Sequence, residues 1–494
     1  MRTLLVLEPS RRALQYQGRW ETWGDLATRV RALEAVFDEA GIGEGATIGL
    51  ITRNRPAHVA TLVAALSSNR CLVPITSIAA DPVVVTELGR VDLSVLVADE
   101  EDWSRAGLTT ECQRQGILGI VVGPEPTTPL RIVEPPTRRF GQPRPGVAVL
   151  MPTSGTTGPP KRIEYTYDRL NGALGRIADY SSATSRSLGG PPAYHRGIVI
   201  APLALAHVGG FWAIMQAVVE GRSIALLDRF EPHEWAAVVH EHQAKLSPLP
   251  PAAMRMVMDA DIPPTMLESL VSVACGTAPL DPDLGDAFTA RYGVPVLTAY
   301  GATEFPGGLV GWSLGDYQRY WSDKRGAAGR ARPGIEIRIV DPATNEVVPL
   351  GSEGLVSVAS PQATASGVDG WVVTTDIGRM DGDGFIWILG RADDAIIRGG
   401  FKVLPQVVEA ALRTHPAVKD AGVVGLPDTR LGQVPVAAVT VDGAAEPSEL
   451  IAWVRDRLPS YAVPVEVRLV DELPRTTSMK VAKGELRALF APAD

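Results

Sequence analysis

Nine residues, Thr153-Ser154-Gly155-Thr156-Thr157-Gly158-Pro159-Pro160-Lys161, carry the clearest chemical signal in this chain. They combine hydroxyls, glycines and one lysine directly after the apolar run 147–151. A strand feeding such a loop aims backbone N–H groups, hydroxyls and an ammonium at one spot, which suits polyphosphate. The loop is not a Walker A sequence, because Pro160-Lys161-Arg162 stands where Gly-Lys-Ser/Thr is required. A P-loop NTPase fold is therefore not expected.

Further along, Glu304 closes the block Tyr300-Gly301-Ala302-Thr303-Glu304. An isolated acid after Gly-Ala-Thr suits Mg²⁺, which takes one or two carboxylates and completes its shell with phosphate and water. Asp376, in Thr374-Thr375-Asp376-Ile377-Gly378, reads by itself as a turn cap. Lys480, in a Ser/Thr-rich segment, reads by itself as a solvated lysine, and Gly399-Gly400 as a turn that permits close backbone approach. His233, Glu234, His240 and His242 resemble a metal cluster only superficially. A zincin needs His at 237, where Ala237 stands, so a partly exposed helix is the expectation.

The elements that must position these residues follow from periodicity. Leu26, Val30, Leu33 and Phe37 share a helical face, with Gly41 where a C-terminal capping glycine belongs. An apolar run at 46–51, a helical segment at 56–68 and a second run at 71–75 continue a βαβ alternation, which predicts a largely parallel sheet covered by helices. After the nine-residue loop, Leu170, Ala173, Leu174 and Ile177 mark another helix face. The stretch 326–373, with short apolar runs between Pro and Gly, predicts a small β-rich unit. Beyond Gly390-Arg391-Ala392-Asp393-Asp394 the pattern is compact. A helix from Pro405 shows Val408, Ala411 and Leu412, strands are expected at 421–426, 435–441 and 465–470, and a helix carries Leu450, Ile451, Val454 and Leu458. The fold class expected is α/β: a large N-terminal domain, 1–390, of βα-layered sheets plus the β-rich unit, then a small mobile α+β lid domain, 391–494.

At 494 residues the chain exceeds one ordinary core, and its net charge of −9, without a basic stripe, argues against nucleic acid. Cys71, Cys112 and Cys275 are far apart, with neither metal spacing nor a disulfide framework, so a reducing cytoplasm is expected. Residues 1–10 are too short and too interrupted for a signal peptide. The segment 198–219 has no charged residue and is long enough to span a bilayer, but Pro202, His207, Gly209, Gly210 and Gln216 point to buried core beside a site.

Taken together, the phosphate loop, Tyr300–Glu304, Thr374-Thr375-Asp376, the segment from Gly390 through Arg398-Gly399-Gly400 to Pro405 and Glu409, and Leu473-Pro474-Arg475-Thr476 leading to Lys480 resemble the adenylate-forming superfamily. That superfamily comprises acyl-CoA ligases, adenylation domains of peptide synthetases, and luciferases. The resemblance covers nearly the whole chain, and its motifs fall in the right order.

The resemblance implies a two-step reaction. A carboxylate attacks the α-phosphate of ATP to give an acyl-adenylate and pyrophosphate, and a thiol, usually of coenzyme A, then displaces AMP. It assigns nucleotide binding to Thr153, Ser154, Gly155, Thr156, Thr157, Gly158, Lys161, Gly276, Thr277, Ala278, Ala299, Tyr300, Gly301, Ala302, Asp376 and Arg391. Tyr300 is the adenine platform, Asp376 the ribose acceptor, Thr303 a phosphate contact and Glu304 the Mg²⁺ ligand. Lys480 bridges carboxylate and α-phosphate from the lid, the interdomain hinge falls at Asp393, and Gly399 and Gly400 line the coenzyme A tunnel once the lid rotates. Thr375, Arg162 and Met479 stand where the family usually has glycine, and Gln433 replaces a common glutamate.

For the acid, the resemblance points to a pocket drawn from His207, Phe211, Trp212, Met215, Gly276, Thr277, Ala278, Phe305, Pro306, Gly307 and Gly308, with His207 gating it or polarising the carboxylate. No acid occurs in 203–219 to hold an α-ammonium, so a hydrophobic acid (aromatic, alicyclic or medium-chain) is expected over an amino acid. The absence of a carrier domain after Asp494 suggests a stand-alone carboxylate–CoA ligase. Two alternatives remain: an enzyme that passes its adenylate to a carrier protein or partner enzyme, and a non-catalytic or monooxygenase relative.

Overall fold

Thr47–Thr52 and Cys71–Thr76 are buried along almost their whole length, as strands covered on both faces must be, and they pair in parallel with Ile48 opposite Leu72. The computed structural model describes residues 1–153, 161–181, 194–305, 307–361, 363, 369–476 and 479–491, with the side chains of 176–181 outside the description. The two strands lie at the centre of a seven-stranded sheet. Its antiparallel last strand, Arg162–Thr166, returns from the phosphate loop beside Val147–Pro152. The Trp23–Glu39 helix starts with a reciprocal capping box between Thr22 and Asp25 and buries Leu26, Val30, Leu33 and Phe37. Gly41 follows it with φ +71°, the left-handed turn expected of a glycine there.

A nine-stranded sheet holds the second layer. Leu246–Pro248, Ser272–Cys275 and Val296–Tyr300 run parallel. The chain then turns antiparallel through Val310–Gly311, Gly329–Ala331, Phe385–Arg391, Trp371–Met380, Gly354–Ala359 and Glu336–Val340. The β-rich stretch is thus not free-standing. Ala299 and Tyr300 would leave an unpaired strand edge, and pairing with Gly311 and Val310 satisfies it. A four-stranded sheet combines Ile198–Ala201 and Ser223–Leu226 with the N-terminal hairpin Arg12–Tyr16 and Arg19–Thr22.

Between Arg391 and Ile396 the chain leaves the nine-stranded sheet and enters a five-stranded one. Its long antiparallel pair, Val418–Asp428 and Gly432–Val441, is covered by Pro405–Arg413 and Pro447–Arg455 around a core that includes Val408, Leu412, Leu450 and Val454. The apolar segment 198–219 resolves into the strand Ile198–Ala201 and the 12-residue helix Val208–Val219. Among the described residues, no helix is long and apolar enough to cross a membrane. The histidine-rich segment forms the Pro232–His242 helix, where His242 Nε2 meets Gln15 Oε1. No group of three or more metal-binding side chains occurs among the described residues.

Candidate functional site

Tyr300 ends the last parallel strand of the nine-stranded sheet, and its Oη donates to Asp376 Oδ2 at 2.5 Å. Burial and the adjacent carboxylate push the Tyr300 phenol well above its usual range, so it stays a donor. Asp376 lies opposite Arg391 on the neighbouring strand, with Arg391 Nε 3.8 Å from Asp376 Oδ1. Burial raises the Asp376 carboxyl, and the Tyr300 hydrogen bond and Arg391 charge pull it back only in part. Arg391 is itself oriented: Nη2 donates to Thr375 Oγ1 at 2.9 Å and to Asp393 Oδ2 at 2.7 Å. Thr375, the departure from the usual glycine, therefore holds the arginine beside the carboxylate.

Thr303 and Glu304 follow Tyr300 at the turn beyond the strand. The backbone there is tied to the neighbouring sheet by Tyr165, fully buried on the strand leaving the phosphate loop, whose Oη donates to the Thr303 carbonyl at 2.7 Å. The loop mouth is closed by Thr153 N donating to the Lys161 carbonyl at 2.8 Å, and Lys161 is exposed. Ser154, Gly155, Thr156, Thr157 and Gly158 lie outside the described residues. Arg162 is not a loop residue: half-buried at the start of the returning strand, it pairs with Glu87 and donates to the carbonyls of Pro74 and Leu150 at 3.0 Å each.

The Gly276-Thr277-Ala278 turn comes from the neighbouring strand. A Cβ on Gly276 would stand 3.3 Å from the Ala299 carbonyl, so the two backbones meet closely. Thr277 adopts φ +70°, a genuine strain for a β-branched residue, and its Oγ1 is buried without a hydrogen-bond partner among the described residues. Gly301 presses on Gly308, whose Cα would be 3.0 Å from an added Cβ, and Arg332 Nη1 donates to the Gly307 carbonyl at 3.2 Å. Phe305 is buried in the core beneath this turn, and Pro306 lies outside the described residues.

His207 precedes the Val208–Val219 helix with an extended backbone, and its side chain does not cap it. Burial first, and the Lys480 charge second, lower the imidazole to about 4. Phe211 and Met215, expected in the acyl pocket, are 0% exposed and form core one turn apart on the buried helix face. Trp212 is buried as well, its ring 6.4 Å from that of Tyr165, with the indole nitrogen unpartnered among the described residues. Gly209 is the helix residue that faces Thr277, since its added Cβ would lie 3.6 Å from Thr277 Cγ2.

Lys480 comes from the C-terminal unit that holds the five-stranded sheet. Burial and then Arg391 lower its ammonium below the usual lysine range, while Asp376 and Asp394 oppose the shift. The charges of Arg391 and Asp376 act on Lys480, and that of Lys480 acts on His207, so these side chains lie within electrostatic reach of one another. Its turn is closed by Thr476 N donating to the Lys480 carbonyl at 2.7 Å, and Met479 has φ +63°. Asp394, next to Asp393, pairs with Lys483 at 2.7 Å. Gly399 and Gly400, with φ +58° and +86°, form the turn of the Ile396–Arg398 and Phe401–Val403 hairpin.

Two positioning residues escaped sequence reasoning. Tyr165 looked like one more strand residue. Asn54 is 2% exposed, and its Nδ2 donates to the carbonyls of Ala201, Leu203 and Leu227 at 3.2, 2.9 and 2.9 Å. Its Oδ1 accepts from Leu205 N at 2.9 Å, so one side chain ties down the loop leading to His207. An asparagine just ahead of Pro56 was the only available signal.

The family model for AMP-binding enzymes matches residues 6–367, and that for the AMP-binding enzyme C-terminal domain matches 407–480. A feruloyl-CoA synthase of Amycolatopsis sp is 29% identical over 98% of this chain and 97% of its own. A 2-succinylbenzoate–CoA ligase of Geobacillus kaustophilus is 34% identical over 70% of this chain and 69% of its own. Among solved structures, an amide bond synthetase from Marinactinospora thermotolerans superposes with a TM-score of 0.78 at 27% identity, covering 99% of both chains.

Proposed function

This chain belongs to the AMP-binding enzyme family, and on that premise we propose that it activates an aromatic carboxylic acid with ATP and then joins it to coenzyme A. The observation that supports the reading is the Tyr300–Asp376 hydrogen bond with Arg391 Nε 3.8 Å from the same carboxylate, a cluster whose charges act on Lys480 of the C-terminal unit. In the first step a carboxylate oxygen forms a bond to the α-phosphorus and the bond to pyrophosphate breaks. In the second, the coenzyme A sulfur bonds to the acyl carbon, the acyl–phosphate bond breaks and AMP leaves.

Both reactants of the first step are anions, so the chain must neutralise charge and align them. Lys161 and the phosphate loop hold the β- and γ-phosphates, and Lys480 bridges carboxylate and α-phosphate. Asp376 accepts from the ribose hydroxyls, with Tyr300 and Arg391 fixing its orientation. The approach of a polyanion raises the lowered Lys480 pKa, favouring the ammonium when the substrate is bound. Thr303 and Glu304 are hard oxygen donors beside the loop and fit Mg²⁺, which neutralises phosphate charge when bound. His207, neutral at pH 7, orients the carboxylate by hydrogen bonding. The acid is placed against Gly209, Thr277 and Gly308, small residues of which Gly209 and Thr277 are close neighbours.

The likeness to feruloyl and succinylbenzoate ligases favours an aromatic acid and coenzyme A. The likeness to an amide bond synthetase favours a second reading, in which another nucleophile, an amine or a carrier-protein thiol, takes the acyl group. Three buried, unbridged cysteines support a cytoplasmic location. The test is pyrophosphate release from MgATP against a panel of aryl acids, with and without coenzyme A, with products identified by mass spectrometry. Acyl-CoA and AMP are expected. Acyl-adenylate persisting beside coenzyme A would transfer the second step to another acceptor.

A further inference from the structure

Met479 stands directly before Lys480 and combines two features that are unusual in a loop. Its backbone is left-handed, φ +63°, a conformation that glycine adopts freely and a side chain resists. Its side chain packs against the hydrophobic core that contains Trp235, Phe288 and Cys275. That core belongs to the large domain, whereas the Met479 backbone belongs to the lid. Its backbone is held by hydrogen bonds: Met479 N donates to the Thr476 carbonyl at 2.9 Å, Lys480 N to Thr476 Oγ1 at 3.2 Å, and Arg475 Nη1 to the Met479 carbonyl at 3.0 Å. Arg475 is anchored in turn on Asp420 of the lid sheet at 2.6 Å.

We propose that Met479 is a positioning residue for Lys480, its thioether seated on the large-domain core so that the lid stays where Lys480 faces Asp376, Arg391 and His207. The inference rests on the adenylation role proposed for Lys480. An unbranched, polarisable side chain fills an irregular apolar recess well, and leaving that recess returns its surface to water. Charge runs along the same seam. Burial disfavours the Asp420 carboxylate, but Arg413, Arg475 and, from the large domain, Arg255 hold it below its usual range. With glycine at 479 the backbone would relax and the seat would be empty. A lid held this way keeps its acyl-adenylate longer before a thiol reaches it.

The test is the distance distribution between spin labels at Glu336→Cys in the large domain and Asp442→Cys in the lid, both exposed, in three backgrounds. The native chain and Met479→Leu should give one narrow distance, and Met479→Gly a broadened or second one, with thermal midpoints unchanged. MgATP–pyrophosphate exchange on ferulate should fall about tenfold in Met479→Gly and recover in Met479→Leu. A native distribution in Met479→Gly would overturn the proposal. Failure of the native chain to exchange with any aryl acid would count instead against the ligase reading, and the spin labels would still decide the role of Met479.

Discussion

Tyr300 donates its phenolic hydrogen to Asp376 across 2.5 Å, joining the end of the last parallel strand to the antiparallel part of the same sheet. The Asp376 carboxylate, proposed to accept from the ribose, is thus flanked on one side by Tyr300 and on the other by Arg391. Tyr300→Phe removes a hydrogen bond to a charged group, worth about 1.5–3 kcal/mol. The KM for ATP is expected to rise roughly tenfold, with the KM for the acid unchanged. Steady-state kinetics with each substrate varied in turn checks this, and an equal effect on both would deny Tyr300 a nucleotide-specific role.

Lys480→Ala should cut pyrophosphate exchange by two to three orders of magnitude, because preorganised charge at a developing phosphorane is worth ~3–4 kcal/mol. Thioester formation from supplied acyl-adenylate should be far less affected. Near-native exchange in this variant would remove Lys480 from the first step.

His207 should remain neutral through the whole working range. With its imidazole lowered to about 4, the adenylation rate should show no His207 inflection between about pH 5.5 and 8. The linkage sign follows from that depressed value. The folded state binds this proton more weakly than the unfolded chain, so the stabilising contribution is present above about 6.5 and is lost as pH falls towards 4. Comparing the native chain with His207→Gln by thermal melts between pH 4 and 7 checks it, the variant losing less stability on acidification.

Asn54→Ala would leave three carbonyls and one N–H of the loop before His207 without their partner. Stability should fall by about 3 kcal/mol. The KM for the acid should rise while that for ATP holds. Thr61→Val, which removes the buried Thr61 hydroxyl bond to the Ala57 carbonyl, is the control for destabilisation alone. Parallel losses in the two variants would reduce Asn54 to a structural residue.

Much of the site was legible in the sequence because its chemistry is concentrated in short runs. Tyr300 to Glu304 and Thr374 to Asp376 each pair an unusual residue type with a turn or strand end. Helix faces such as Leu26, Val30, Leu33 and Phe37 announced themselves by periodicity, and all four are buried. For Phe211 and Met215 the sequence is less informative: an apolar helix next to His207 can present a pocket face and a core face, and composition does not distinguish them. Arg162 and Thr375 looked like departures from a glycine pattern. Their roles, with Glu87 and Arg391, depend on partners 75 and 16 residues away.

The sequence by itself determined the family motifs, the βα alternation and the change of character near Asp393, since each is written in local residue order. Tertiary structure alone decided which groups share a chamber. The N-terminal hairpin completes a sheet with strands some two hundred residues later, Asn54 reaches the Ala201–Leu205 backbone, and Met479 packs against the core around Trp235 and Phe288. Such contacts arise because buried polar atoms must find partners and apolar surface must leave water wherever the chain brings them together. No local pattern encodes that meeting.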